Sequence, residues 1–193
     1  MRITGGTARG VKLFTPKGRS IRPSLDRVRE SLFQIILNYF YQDLEGRRVL
    51  DLFSGTGALG LEALSRGAAT CVFVENDIRA IKVIEKNIKH LGLQDRCLLI
   101  KSDVRRLSAT RFKELIPFDI ILADPPYRKN FVSVILDKVC NLGLLSDEAI
   151  LVIEESKDTD LPSSFLGKDN NCKLICDQVR RYGDTVLSFY IKR

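Results

Sequence analysis

The chain has 193 residues, of which 45% are hydrophobic and 28% are charged. These values favour one globular domain with at most a small appendage. The opening residues, MRITGGTARG, lack the apolar core of a signal peptide, and no run approaches the roughly 18 apolar residues of a membrane span. We therefore predict a cytoplasmic protein that has no membrane partner.

The basic excess of the chain is concentrated at its N-terminus. The whole chain has 31 basic and 24 acidic residues, whereas residues 1–29 hold eight basic residues against Asp26 alone. A local basic excess beside a neutral body is typical of a protein that binds a polyanion, although a solvated tail is an alternative. The candidate binding residues are Arg2, Arg9, Lys12, Lys17 and Arg19.

Two β-like runs within residues 2–15 surround three glycines and predict a small N-terminal β-hairpin. Apolar residues at helical spacing predict a helix from Ser24 to about Gln42. We expect a basic hairpin or arm over residues 1–23 and the main domain over residues 24–193.

Beyond Gly46, strand-like and helix-like runs alternate along the chain. This alternation predicts an α/β fold with a doubly wound, mostly parallel sheet of seven strands, the last two forming an antiparallel hairpin within residues 172–193. The strand-like runs before that hairpin are RRVLDLF, ATCVFVE, CLLIKSD, FDIILAD and AILVIEE. The helix-like runs are GALGLEALSRG, DIRAIKVIEKNIKHLG, residues 107–115 and FVSVILDKVCNLG.

The loop SGTGALG, residues 54–60, follows the first of these strands. Its glycines match G-x-G-x-x-G, and Glu75 lies 20 residues beyond Gly55, as in a dinucleotide-binding site. Glycine allows the tight turn and lets backbone N–H groups approach a ligand. The loop alone does not identify the ligand, and it also suits a turn that binds nothing.

Four acidic residues at or near the ends of the first four strands favour a cationic ligand. A dinucleotide needs one carboxylate, and each further one would repel its pyrophosphate by roughly 1–4 kcal/mol at about 4 Å. S-adenosylmethionine has no phosphate and is a net cation, so it suits all four. We expect the ammonium at the first acid, the ribose at the second, the adenine amine at the third and the methyl acceptor at the fourth: Asp51, Glu75, Asp103 and Asp124.

Metal chemistry is not expected. His90 is the only histidine, and the five cysteines include no C-x-x-C pair. We predict no metal site, and we expect the cysteines to be reduced, as is usual in the cytoplasm.

The stretch ILADPPYRK, residues 121–129, ends a core strand with a carboxylate and two prolines. An exocyclic amine on a nucleobase is a poor nucleophile because its lone pair is delocalised into the ring. The Asp124 carboxylate and the Pro125 carbonyl could both accept from its N–H groups and so localise that pair. Pro126 would keep the turn extended, and Tyr127 could stack on the base for roughly 1–3 kcal/mol. An ordinary proline turn is the alternative.

The runs VLDLFSGTGALG and ADPPY, in that order, resemble a class I S-adenosylmethionine-dependent methyltransferase that acts on an exocyclic amine. The runs RITGGTARGVKL and RPSLDRVRESLF are similar to those of the bacterial family that methylates a guanine N2 in 16S ribosomal RNA. That family usually has threonine at the position of Ser24, and the serine keeps the hydroxyl.

The resemblance implies a Rossmann-like methyltransferase domain with S-adenosylmethionine as cofactor, and we separately expect a monomer. The implied partner is 16S ribosomal RNA in an assembled or partly assembled small ribosomal subunit. The residues from 124 to 127 would form the catalytic loop. The implied cofactor-binding residues are Asp51, Phe53, Gly55, Gly57, Glu75, Asn76, Asp103, Val104, Arg22 and Arg27.

Several other functions share part of this pattern. A DNA or other RNA amino-methyltransferase would use the same D-P-P-Y chemistry, and protein-glutamine methyltransferases resemble it with N-P-P-Y. About 193 residues leave little room for a domain that flips a base out of duplex DNA. A non-catalytic RNA-binding protein would not need both loops, and an NAD-dependent enzyme is disfavoured by the carboxylates.

Overall fold

The computed structural model describes residues 1–16, 23–112, 114–126, 130–168, 170 and 172–193. The chain clusters into two compact units, Met1–Lys101 and Ser102–Arg193, which we call the first and the second unit. The division expected between residues 23 and 24 stays a prediction, because residues 17–22 lie outside the described ranges.

The first unit contains α1 (Pro23–Tyr39), β1 (Arg48–Leu52), α2 (Ala58–Ser65), β2 (Thr70–Glu75), α3 (Ile78–Leu91) and β3 (Cys97–Lys101). Its strands pair in parallel in the order β3-β2-β1. The interior of β1 and β2 is almost continuously apolar and buried, as expected of parallel strands covered on both faces. Helix α1 ends three residues before the predicted Gln42, because Tyr41 and Gln42 adopt positive φ.

The N-terminal segment forms a small antiparallel loop, held by a single bridge between Arg2 and Lys12 where the sequence predicts a hairpin. The Ile3 N–H donates to the Val11 carbonyl at 3.0 Å, and the Gly10 N–H donates to the Ile3 carbonyl at 2.9 Å. Ile3 is fully buried, so the segment belongs to the core of the first unit.

The second unit contains β4 (Phe118–Ala123), α4 (Phe131–Asn141), β5 (Leu145–Ser156), β6 (Ser164–Leu166), β7 (Lys173–Tyr182) and β8 (Thr185–Lys192). Strands β4 and β5 are parallel, and β5-β8-β7-β6 continue antiparallel. The predicted C-terminal hairpin is confirmed as β7 and β8, with Tyr182 opposite Thr185 across Gly183 and Asp184.

The predicted α/β class, with parallel strands followed by antiparallel C-terminal strands, is confirmed. The described residues form eight strands, one more than the seven predicted. The additional strand is β6, and its three residues are too few to show a periodic pattern in the sequence.

The prediction of a helix near residues 107–115 is wrong. This region instead contains short 3₁₀ turns at Val104–Arg106 and Ala109–Arg111. Leu107 and Phe112 are buried but lie five residues apart, which does not match one face of an α-helix. The hydroxyls of Ser108 and Thr110 hydrogen-bond to each other at 2.8 Å.

The prediction that all five cysteines are reduced is also wrong. Cys140 near the end of α4 and Cys172 just before β7 form a disulfide, with their Cα atoms 5.3 Å apart. The sequence separates them by 32 residues. The fold therefore brings together two cysteines that no local pattern relates.

Candidate functional site

The turn between β1 and α2 passes through left-handed backbone at Phe53 (φ 59°), Gly55 (φ 57°) and Gly57 (φ 77°). Glycine adopts this region freely, but a residue with a side chain such as Phe53 is strained there. The Ser54 hydroxyl donates to the Asp51 carbonyl at 2.6 Å and pins the turn. Strain retained at a strand end is typical of a ligand-binding turn.

Glu75, the last residue of β2, holds this turn through its carboxylate. One oxygen accepts from the Gly55 N–H at 2.8 Å, and the other accepts from the N–H groups of Asn76 at 2.7 Å and Asp77 at 2.9 Å. Asn76 is exposed, and the Asp77 side chain caps α3 by accepting from the Arg79 N–H at 2.8 Å. Glu75 therefore joins the glycine turn to the start of α3.

Asp51 lies inside β1 and is only 1% exposed. Its Oδ2 accepts from the Gly60 N–H at 3.0 Å. Burial raises the pKa of Asp51 to about 7, the Gly60 N–H opposes that rise, and the neighbouring charge of Glu75 adds to it. A cationic group placed beside Asp51 would stabilise its ionised form.

Gly60, the third glycine of the loop, serves packing between α2 and β2. A Cβ atom at this position would lie 2.5 Å from the Cys71 sulfur and 2.5 Å from the Phe73 ring. Only glycine lets α2 pack this closely against β2.

Asp103 belongs to the second unit, where it caps the turn Val104–Arg106 by accepting from the Arg105 N–H at 2.9 Å. Its carboxylate also forms an ion pair with the Arg105 side chain. The hydrogen bond from the Arg105 side chain lowers the pKa of Asp103 to about 2, against the opposing effect of burial. Asp103 is therefore ionised at neutral pH, while Val104 beside it is buried.

Asp124 follows the last residue of β4 directly, as predicted. It is exposed, whereas Pro125 is buried and Pro126 is exposed. The last pairing of β4 with β5 joins Ala123 to Ile153, so the β-ladder stops where the prolines begin. Tyr127 lies outside the described residues.

Three of the predicted basic residues lie around one cavity of the first unit. Arg2, Arg9 and Arg27 line a space of about 410 Å³ together with Asp26 and Glu30. The Arg2 side chain is 64% exposed, and its Nε lies 3.5 Å from the Asp26 carboxylate. Lys12 is also exposed. The predicted basic residues outside the described ranges are Lys17, Arg19 and Arg22.

A buried charge cluster in the first unit is absent from the sequence predictions. Glu62 in α2 is fully buried and pairs with Arg29 of α1 at 3.3 Å and with Arg66 at 2.8 Å. Its carboxylate also accepts from the N–H and the hydroxyl of Thr4, both at 2.8 Å. The sequence of α2 could have indicated this cluster. Its residues ALGLEALS are almost entirely apolar apart from one charge, so that charge has to be buried together with partners.

Within the described ranges, no three His, Cys, Asp or Glu side chains group in a way that could hold a metal ion. Among the same residues, no helix has the length and apolar character needed to cross a membrane.

Comparison with known proteins identifies the family. Residues 1–191 match the family described as conserved hypothetical protein 95. The Bacillus subtilis (strain 168) protein YlbH is 34% identical over the full length of both chains. The ribosomal RNA small subunit methyltransferase D of Escherichia coli (strain K12) is 34% identical over 163 residues, which cover 84% of this chain and 78% of that relative.

A solved structure of the hypothetical protein TTHA0928 from Thermus thermophilus has the same fold, with a TM-score of 0.77 and 28% identity over 98% of each chain. The family match covers nearly every residue of the chain, including the N-terminal segment, the glycine turn and the residues after β4. The chain therefore belongs to the family described as conserved hypothetical protein 95.

Proposed function

We propose that this protein transfers a methyl group from S-adenosylmethionine to the exocyclic N2 amine of a guanine in 16S ribosomal RNA. The observation that carries the proposal is the presence of two motifs in the same chain. A glycine turn bordered by buried Asp51 and by Glu75 follows β1, and the run Asp124–Pro125–Pro126 follows β4. Relatives named as small subunit ribosomal RNA methyltransferases support the same reaction and substrate.

The residues of the first unit fit a ligand that is cationic and has no phosphate. Asp51 would hold the ammonium group of the methionine part. Glu75 uses three of its roughly four acceptor sites on backbone N–H groups, which leaves about one for a ribose hydroxyl. A pyrophosphate beside Asp51 and Glu75 would be repelled, which disfavours a nicotinamide dinucleotide.

We also propose roles for residues of the second unit. We propose that Asp103 accepts from the adenine amine and that Val104 contacts the ring. When bound, S-adenosylmethionine supplies a methyl group made electrophilic by its sulfonium. Asp124 and the Pro125 carbonyl would each accept an N–H of the target amine, which localises the nitrogen lone pair. Asp124 or a water molecule then takes the released proton, so catalysis rests on positioning and electrostatics.

The same proposal assigns the basic N-terminal residues to RNA binding. Arg2, Arg9 and Lys12 are described, and all three are exposed. Arg27, which is also exposed, keeps its proposed role at the cofactor. We propose that Arg2, Arg9 and Lys12 contact phosphates of an assembled or partly assembled small subunit, with the protein acting as a cytoplasmic monomer.

A transfer assay tests the proposal. The protein is incubated with S-adenosylmethionine carrying a labelled methyl group and with small-subunit particles, naked 16S ribosomal RNA, DNA or protein. Mass spectrometry of the digested nucleosides should show labelled N2-methylguanosine from the ribosomal samples. Label found only in DNA or protein, or only on adenine, would refute the assignment.

A further inference from the structure

The exposed side of α3 carries a row of cations that the N-terminal basic segment does not include. Lys82, Lys86 and Lys89 are all exposed, and Glu85 is the one acidic residue within the helix. At 1.5 Å per residue, the three lysines span about 10 Å along one side of the helix. Arg79 precedes them but is paired with Asp77 at 3.0 Å.

An aromatic side chain lies against this row. The ring of Phe14 remains 37% exposed although it is a large apolar group. The Lys86 ammonium is 3.7 Å from the centre of the ring, and the His90 ring meets it edge-on at 5.2 Å. Proteins that bind single-stranded nucleic acids commonly place exposed aromatic rings beside cations. Bases stack on the rings, and the cations neutralise the phosphates.

Phe14 is held in this position by a buried amide. Asn87 of α3 is fully buried, and its Oδ1 accepts from the Phe14 N–H at 2.7 Å. Its Nδ2 donates to the Phe14 carbonyl at 3.1 Å and to the Thr56 carbonyl at 2.9 Å. The backbone that presents the aromatic ring is therefore bonded, through one side chain, to the glycine turn after β1.

A solvated helix face would explain the lysines alone. A solvated face would not account for the partly exposed Phe14 ring that lies beside the lysines. Buried Asn87 holds the backbone of Phe14 through two hydrogen bonds, and losing such bonds in a buried position would be costly. The net positive charge of this face excludes a basic partner, and its mixture of ammonium groups and one aromatic ring matches an RNA strand.

We propose that Lys82, Lys86 and Lys89, with Phe14, form an RNA-docking surface, which we call the α3 surface. The lysines neutralise phosphates, and Phe14 stacks on one base or sugar. The proposal rests on the proposed function, since it assigns the RNA of that reaction to a particular face of the first unit.

The test compares two triple variants that remove the same charge. One variant replaces the lysines of the α3 surface, and the control replaces three exposed cations of β7. The affinity of each for naked 16S ribosomal RNA is measured over a series of salt concentrations, together with its thermal unfolding and its affinity for S-adenosylmethionine. The substitutions are Lys82→Ala, Lys86→Ala and Lys89→Ala against Lys173→Ala, Arg180→Ala and Arg181→Ala.

Loss of three phosphate contacts should reduce the slope of log affinity against log salt by about 2. We expect this reduction in the α3 variant alone, with unfolding and cofactor affinity unchanged in both. Equal slopes for the two variants would overturn the α3 surface while leaving the proposed function intact. A wild-type protein that neither binds nor methylates ribosomal RNA would instead refute the proposed function.

A second pair of variants isolates the aromatic ring. Phe14→Leu keeps an apolar side chain of similar size but cannot stack on a base, and it should weaken RNA binding roughly tenfold. Phe14→Tyr keeps the ring and should bind like the wild type. If leucine and tyrosine give the same affinity, Phe14 does not stack on the RNA.

Discussion

Replacing Asp51 by asparagine separates what this carboxylate does for the ligand from what it costs the fold. The side chain is 1% exposed, and its oxygen accepts the Gly60 N–H. Asparagine keeps an oxygen that can accept this bond but cannot ionise. The variant should therefore be more stable than the wild type at high pH and should bind S-adenosylmethionine more weakly.

The magnitude follows from the pKa of Asp51, which burial raises from 3.8 to about 7. Between these values the folded protein holds a proton that the unfolded chain has lost, so the contribution of Asp51 to stability falls as pH rises. The full difference corresponds to about 4 kcal/mol above pH 7. Asp51→Asn should thus raise the free energy of unfolding by up to about 4 kcal/mol at pH 8 and by little at pH 4.

Urea unfolding at pH 4 and pH 8 measures this difference, provided that the denaturant slope is unchanged. Asp95→Asn, at an exposed residue of the same unit, is the matched control and should show no pH-dependent gain. Calorimetry should show cofactor binding weakened by about 1.5–3 kcal/mol in Asp51→Asn, the value of a hydrogen bond to a charged group. An asparagine variant with no added stability at pH 8 would refute the idea that Asp51 is a destabilising buried acid.

Three further substitutions test the buried charge cluster around Glu62, the packing of α2 against β2 at Gly60 and the chemical role proposed for Asp124. Glu62→Ala removes the buried carboxylate that Arg29, Arg66 and Thr4 share, although Arg29 keeps its ion pair with Asp26 at 2.8 Å, and it should lower the free energy of urea unfolding by about 1–3 kcal/mol. Gly60→Ala places a Cβ 2.5 Å from the Phe73 ring and should cost about 1–3 kcal/mol in the same measurement. Asp124→Ala removes the carboxylate that we assign to the methyl acceptor, and melting temperature and cofactor affinity are measured with it as controls. Its single-turnover methylation rate should fall by at least the tenfold to hundredfold that about 1.5–3 kcal/mol represents.

Each of these expectations has a clear contrary result. A Glu62→Ala protein as stable as the wild type would mean that the arginines find other partners at no cost. An unstrained Gly60→Ala protein would show that α2 can move away from β2. Normal turnover by Asp124→Ala would remove this carboxylate from the mechanism.

The contacts of the N-terminal segment also bear on how RNA binding can be tested. Removing residues 1–16 would delete Thr4, which bonds to buried Glu62, and Phe14, which bonds to buried Asn87, as well as the basic side chains. A truncated protein would therefore lose stability whether or not the segment binds RNA. Substitutions at exposed side chains such as Lys12 separate the two effects.

The sequence by itself determined the α/β class, the glycine turn after β1 and the place where β4 ends. These features depend on local rules, because apolar runs form parallel strands, glycine permits positive φ and proline interrupts the β-ladder. The positions of Asp51, Glu75 and Asp124 relative to their strands follow from the same rules.

Only the tertiary structure decided what surrounds those residues. The raised pKa of Asp51 comes from its burial in the packed protein. The ion pair of Glu62 with Arg29 and the hydrogen bond of Asn87 to Phe14 each join residues that lie far apart in the chain. Burial and hydrogen-bond partners are properties of the packed protein, so no local spacing encodes them. The same reason explains why the disulfide of Cys140 became visible only in the fold.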